Sequence, residues 1–390
     1  MATIRPYVDD LLATGTSQER VDDMFDFLTT LQIKDLGVVS KFLGMRITHS
    51  VKFGYELDQE VTIAEMRLKF GLQDAHSAMM PIGLDHDNNT READALLPKE
   101  STVGSASMKK FQSIVGSLLW LARCTRPDIA YAVHRATRRN HAPTTNDWQL
   151  SKRIARYLKG TMNVKLRIGQ RDAEGKAAVQ ITSTSDADFA GDKTDRKSVS
   201  GAIFRVDGMM VGWTCRKQAT VSLSTMKAEF TSAPHAGQEL LALRKLLSEL
   251  GFMEELPMKM EMDNQAAIRQ MENEESSARA KHIDIKLNFM KDYAKNGIIK
   301  PIYVSTEMMA ADLLTKAFSA PRLQVLMKMC SLYRSGRIQA SARETHSTVR
   351  KECRKKMYSP SPGDSANQLR VFSPRSRNSA NTSPDISGVS

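Results

Sequence analysis

The sequence predicts an α/β fold with a mixed sheet for residues 178–320, and three observations carry that expectation. Gly201 to Val206 and Met209 to Arg216 read as strands turned at Asp207-Gly208, a strong short-range hairpin signal. After this hairpin, helical and strand-like runs alternate, which places helices against a sheet. Two strand-like runs in the same region end on acids, at Asp186 and Asp263. A hairpin opening an otherwise alternating pattern makes the sheet mixed rather than parallel.

The elements follow in order. Val179 to Ser185 alternate as a strand, with Asp186 directly after it. The hairpin comes next. Thr225 to Leu250 is helical and closes at Gly251. Met258 to Met262 reads as a strand, Gln265 to Met271 as a short helix and Ile283 to Lys295 as a longer one. Ile298 to Val304 is the fifth strand, and Met309 to Phe318 is expected to be a final helix.

The rest of the chain divides by composition. Residues 1–75 alternate short strand-like and helical runs, including Phe42 to Ile47 and Val61 to Phe70. Residues 76–104 are rich in Asp, Asn, Ser and Pro and read as a linker. Residues 105–175 are helical: Ile114, Leu118, Leu121 and Ala122 recur at helix spacing, then Ile129, Val133 and Ala136 after Pro127. Asn146 and Asp147 are placed to cap a further helix through Ile154, ended by Gly160. Residues 331–390 are dense in Ser, Pro, Arg and Asn and are expected to be a disordered basic tail.

Charge narrows the partners. The net charge is +12, which favours a polyanion such as nucleic acid. The excess is uneven, because the 60 residues after Cys330 hold 11 Lys and Arg against 4 Asp and Glu. The remainder is only mildly basic. Cys124, Cys215, Cys330 and Cys353 are far apart, without the CxxC spacing of a zinc site, and suit a reducing compartment. The longest apolar run, Ile114 to Ala122, is too short to span a bilayer. With no signal pattern at the start, an intracellular protein without a membrane partner is expected.

Four carboxylates stand where chemistry is usually placed in such sheets. Asp186 and Asp263 lie at strand ends, Glu229 in the first turns of a helix and Asp312 at the entry to another. Phosphodiester hydrolysis needs a nucleophilic water and a stabilised leaving oxyanion, and two Mg²⁺ ions about 4 Å apart provide both. Mg²⁺ prefers hard oxygen ligands, and four carboxylates match the charge of two such ions. The chain holds 44 acids, however, and most surface carboxylates are merely solvated. Spacing alone does not select these four.

The series SDADFAGDKTDRKSVSGAIF, VSLSTMKAEF, MDNQAAI, ARAKHIDIKLNF and ADLLTKAF resembles the ribonuclease H domain of copia-type retrotransposon polyproteins. This resemblance implies a ribonuclease H-like mixed five-stranded sheet flanked by helices. It also implies two Mg²⁺ (or Mn²⁺) held by Asp186, Glu229, Asp263 and Asp312, and an RNA–DNA hybrid as partner. Arg279, Lys281 and His282 fall on the family's KHID motif, either as phosphate contacts or as helix-entry charge. Asn264 either orients substrate or caps the helix at Gln265. Two departures stand out: Lys227 replaces a usual acid, and Pro234, one turn after Glu229, is expected to kink the helix. Asp186 is preferred over Asp188 as ligand, with Asp188 and Asp192 solvated or hydrogen-bonded. Trp213 is read as core.

Near the start, Tyr7-Val8-Asp9-Asp10, followed by LLATG and LQIKDLGVVSKFLGMRI, resembles the end of the copia-type reverse transcriptase. LDQEVTIAEMRLKFGLQDA is similar to its thumb, and FQSIVGSLLWLARCTRPDIAYAVHRATR to its connection segment. This implies an incomplete α+β palm and thumb remnant over residues 1–75, with Tyr7, Asp9 and Asp10 the polymerase residues. Polymerisation needs a third carboxylate from an earlier strand, and only six residues precede Tyr7. The chain is therefore expected not to extend a primer. The remainder of the polyprotein is a further expected partner, in a virus-like particle in the cytoplasm or in the nucleus. The competing expectation is an inactive relic that only binds nucleic acid. An integrase fits less well, since its third acid would follow the second by about 35 residues on a late helix, whereas Glu229 comes early and is followed by a strand-end acid.

Overall fold

The computed structural model describes the chain apart from residues 1, 8–9, 16–17, 30–32, 51–52, 85–93, 101–104, 170–177, 273–280, 336–368 and 375–390. Two compact units result, Met1–Leu43 with Gln339–Ser390, and Gly44–Ile338. In the first, β1 (Ala2–Tyr7) and β2 (Asp10–Gly15) pair antiparallel with Tyr7 opposite Asp10. Helix α1 (Gln18–Thr29) and strand β3 (Ile33–Val38) follow. A strand at Leu369–Pro374 pairs antiparallel with β2 and β3. Ala13 and Val21 are buried there among Leu11, Met24 and Phe25.

The second unit opens with β4 (Met45–Ser50) antiparallel to β5 (Gly54–Asp58), then α2 (Glu60–Lys69). Three helices follow: α3 (Met108–Cys124), α4 (Ala130–Thr137) and α5 (Thr145–Gly160). In α3, Phe111, Ile114, Val115, Leu118, Leu121 and Ala122 are buried, the apolar stripe that the periodicity requires. The N-cap of α5 is Thr144, not Asn146, and Asp147 caps from the third helical position. Thr144 Oγ1 accepts from Asp147 N, and Asp147 Oδ2 accepts from Thr144 N, a capping box that satisfies two otherwise orphaned donors. Strand β6 (Val164–Ile168) then pairs antiparallel with β5.

The five-stranded sheet consists of β7 (Ile181–Asp188), β8 (Val199–Val206), β9 (Met209–Lys217), β10 (Met258–Met262) and β11 (Ile299–Tyr303). Its order is β9-β8-β7-β10-β11. The first three are antiparallel neighbours, and β7, β10 and β11 run parallel. This is the mixed five-stranded sheet that the resemblance implies. Asp207 and Gly208 turn the β8–β9 hairpin with φ of 48° and 77°, the left-handed conformations such a tight turn needs. Helices α6 (Thr225–Glu249), α7 (Gln265–Glu272), α8 (Lys281–Lys295) and α9 (Ala320–Met329) complete the unit.

Both faces of this sheet are covered. On one, Ala202, Phe204 and Val206 of β8 pack with Ala233, Ala236 and Leu240 of α6 and with the Met side chains of β10. On the other, Val199 and Ile203 join Leu118, Leu121, Val133 and Ile154 of α3, α4 and α5 in one cluster. The period-2 alternation of β8 thus feeds two cores.

Four expectations change. Met309 to Phe318 is not an α-helix; Ala310–Leu314 is a 3₁₀ turn, and the last α-helix begins only at Ala320. The turn is buried throughout, so no polar face marks its period. The segment 76–104 is packed where it is described: Ile82 and Leu97 are buried, and Leu97 N donates to Pro143 O at 2.8 Å. Disorder does not begin at 331, because Leu332–Arg334 pairs antiparallel with β6. Leu369–Pro374 is also a strand, while the rest of the expected tail lies outside the described residues.

Candidate functional site

Asp186 lies inside β7 near its carboxyl end, rather than after the strand, and its side chain is almost fully buried. Glu229 is on the second turn of α6, whose start is fixed by Ser224, its Oγ accepting from Lys227 N. Asp263 directly follows β10, and because β10 and β7 run parallel, their carboxyl ends lie at one edge. One oxygen from each of Asp186, Glu229 and Asp263 lies within 4.8 Å of the others. Residues distant in sequence are thereby gathered by strand polarity.

Hydrogen bonds hold these acids in place. Glu229 Oε1 accepts from Ala187 N at 2.9 Å, while the buried Glu229 Oε2 has no partner. Ser232, on the same helix, donates to Asp186 O at 3.0 Å and accepts from Ser185 Oγ at 3.1 Å. Despite Pro234, α6 runs unbroken, and Glu229 is not displaced from the acids. Thr315 Oγ1 donates to Asp186 Oδ2, and Thr306 Oγ1 to Asp263 Oδ2 at 3.2 Å.

Asp312 joins the group through a lysine. It is not among the three acids whose oxygens converge. Lys316 Nζ donates to Asp312 Oδ1 at 2.7 Å and to Asp186 Oδ1 at 3.4 Å. Arg322 Nη2 reaches Asp312 Oδ2 at 3.5 Å. Gly201 makes this approach possible. It pairs with Asp186 across the sheet, and a Cβ there would stand 2.7 Å from Thr315 Cγ2 and 2.9 Å from Leu314 Cβ. Lys316, Arg322 and Thr315 were not singled out from the sequence. The available signals are the four-residue step from Asp312 to Lys316 and the ADLLTKAF run that contains Thr315 and Lys316.

Burial dominates the electrostatics. It pushes Asp186 upward from the usual carboxylate range, opposed by the Lys316 charge and reinforced by Asp312. Burial first, and the Asp186 charge second, push Glu229 up to about 10. Buried acids crowded in this way are relieved by a cation, which favours their ionised forms. The donor set is all oxygen, and one buried carboxylate oxygen is left over. Both features fit a hard divalent ion such as Mg²⁺ or Mn²⁺.

The other sequence candidates fall elsewhere. Asp188 lies over Gly191, where a Cβ would stand 1.6 Å from its Oδ2. Asp192 is a structural ion-pair centre for Arg135, Arg138 and Lys217. Asn264 Oδ1 accepts from Ala267 N at 3.0 Å and so caps α7. Lys227 lines a cavity of about 400 Å³ with Arg216, Thr231 and His235, which none of the four acids lines. Trp213 packs against the α3–α5 core and donates to Ala122 O at 2.9 Å. Lys281 and His282 open α8, but their side chains, like Arg279 and Asp9, lie outside the described residues. Tyr7 and Asp10 are register partners in the β1–β2 pair. No described helix is long and apolar enough to cross a membrane.

No model of a known family matches the sequence. Among curated proteins, the retrovirus-related Pol polyprotein from transposon TNT 1-94 of Nicotiana tabacum is 30% identical over 329 residues, 84% of this chain and 24% of that protein. The corresponding polyprotein from transposon RE1 of Arabidopsis thaliana is 32% identical over 322 residues, 82% of this chain and 21% of that protein. An uncharacterised mitochondrial protein of Arabidopsis thaliana is 32% identical over 236 residues, covering 60% of this chain and 91% of its own length. The chain thus spans 21% to 24% of the length of these two polyproteins. Among solved structures, LC11-RNase H1 isolated from compost aligns with 35% of this chain and 92% of its own, at 16% identity and a TM-score of 0.28.

Proposed function

Because the chain belongs to the Pol polyprotein family of retrotransposons, we propose that residues 178–320 form a metal-dependent ribonuclease H acting on RNA–DNA hybrids. The observation that carries this reading is the convergence of Asp186, Glu229 and Asp263 from three different elements, with Glu229 Oε2 unpaired. Divalent cations bound there, Mg²⁺ or Mn²⁺, would supply the Lewis acidity that makes water nucleophilic and stabilises the departing 3′ oxygen. The chain's own part is to hold the acids ready. Ala187 N fixes Glu229, Thr315 fixes Asp186 and Thr306 fixes Asp263, so little reorganisation is needed when substrate arrives.

Hybrid choice in this reading rests on duplex shape and 2′-hydroxyl contacts, not on base sequence. Arg279, Lys281 and His282 remain the candidates for backbone phosphate contacts, which makes affinity fall steeply with salt. The remainder of the polyprotein is the proposed physiological partner.

The test uses the full chain with Mg²⁺ and labelled RNA, either single-stranded or paired with DNA. Cleavage is expected only in the hybrid, reduced about a hundredfold or more by Asp263→Asn. A second reading, nucleic-acid binding without chemistry, is favoured by one observation: Lys316 and Arg322 already neutralise Asp312. Hybrid binding without cleavage at any metal concentration selects that reading.

A further inference from the structure

We propose that the Lys316 ammonium is a built-in cation that takes the place of a second metal ion between Asp186 and Asp312. The resting site then holds one divalent ion, on Asp186, Glu229 and Asp263. This inference rests on the metal-nuclease reading above and refines it.

Geometry makes the first argument. Among the described residues, only three acids have oxygens close enough to share one ion, and Asp312 is not one of them. The Asp312 and Asp186 carboxylates are instead bridged by Lys316 Nζ, at 2.7 Å and 3.4 Å. Both acid side chains are nearly sealed from solvent, at 4% and 1% exposure, where an ion pair is little screened. The turn that presents Lys316 is seated against Gly201 and tied to β7 by Thr315, so the lysine is delivered by packed backbone.

Charge makes the second argument. Four carboxylates are balanced by one divalent ion together with Lys316 and Arg322, which both contact Asp312. A second divalent ion added to that set would leave the centre with net positive charge, and it would have to approach Lys316 at close range. Coulomb repulsion at such distances in a partly buried site disfavours it strongly. The second ion therefore enters only when Lys316 swings out. Its side chain is one-third exposed and its stem flexible, which leaves that route open. Phosphate backbone arriving at the site offers the displaced ammonium a new partner.

Mn²⁺ titration of the full chain, with free Mn²⁺ followed by electron paramagnetic resonance, tests this without reference to turnover. The wild type is expected to bind one ion, lost in Asp263→Asn. Lys316→Met is expected to bind two, the second about tenfold or more tighter than any second ion in the wild type. Lys316→Arg keeps the charge and is expected to bind one. Two ions of similar affinity in the wild type, or one ion still in Lys316→Met, overturns the inference. The wild-type count decides the matter even if Lys316→Met does not fold. Two ions together with hybrid cleavage overturn this inference alone, whereas no ion in any chain removes the nuclease reading with it.

Discussion

Asp192 illustrates how one acid in the run from Asp186 to Asp192 becomes structural. Burial alone would raise its pKa, but hydrogen bonds from Lys217 and Thr194 N and the Arg138 charge hold it well below the usual carboxylate range. A carboxyl depressed on folding contributes stability above its unfolded pKa of about 3.9, and that contribution is lost as pH falls through the lower folded value. Asp192→Asn is therefore expected to cost about 2–4 kcal/mol at pH 7, measured by urea unfolding, with the difference shrinking toward pH 2. A difference independent of pH contradicts the assignment. Arg126 and Asp128 form a second buried device. Arg126 donates to both Asp128 oxygens at 2.9 Å and 2.7 Å and to Thr161, while Tyr157 donates to Asp128 at 2.7 Å. Asp128→Ala leaves the Arg126 charge buried without its acid and is expected to cost about 3–5 kcal/mol by the same measurement. Neither network is legible in the sequence, because an Arg two residues from an Asp is as common on a solvated surface as in a core.

Among the elements, the 3₁₀ turn Ala310–Leu314 matters most, since it presents Asp312, Thr315 and Lys316 to β7 across Gly201. Gly201→Ala is expected to push this turn away. The expected cost is about 1–3 kcal/mol of stability, with Mn²⁺ affinity weakened about tenfold. Urea unfolding and metal titration read the two effects, and no change in either shows that the turn is not seated as described. The strands carrying Asp186 and Asp263 were readable because short β-type runs bounded by turn residues have few alternatives. The α6 start at Thr225 agrees with the sequence reading, and Ser224 caps it. The turn was not, because Ala310 to Leu314 are buried on every side and imitate a helix of any period. A different reason hides α9 and the strand at Leu332–Arg334. Their partners, the α3–α5 core and β6, come from far earlier in the chain. The motif resemblance named four acids, but only the folded chain separates the three that converge from the one held by Lys316.

At the scale of the whole molecule, the sheet that carries the acids owns only one of its two cores. Val199, Ile203 and Met210 share a cluster with Phe111, Leu118, Val133 and Ile154, and Leu314 beside Asp312 belongs to it too. Cutting the chain at 178 would expose this face to water. Residues 178–320 alone are therefore expected to bind a hydrophobic dye and melt without cooperativity, whereas residues 44–338 melt in one transition. A cooperative melt of the shorter fragment contradicts that dependence. Charge was the weakest whole-chain guide, since most of the excess lies beyond Cys330 in the sequence. The account depends above all on three carboxylates sharing a single cation. Crystals of the full chain soaked in Mn²⁺ and measured at its absorption edge test this directly. One anomalous peak about 2.1 Å from oxygens of Asp186, Glu229 and Asp263 is the predicted result. A peak lodged elsewhere, with those oxygens bare, contradicts it.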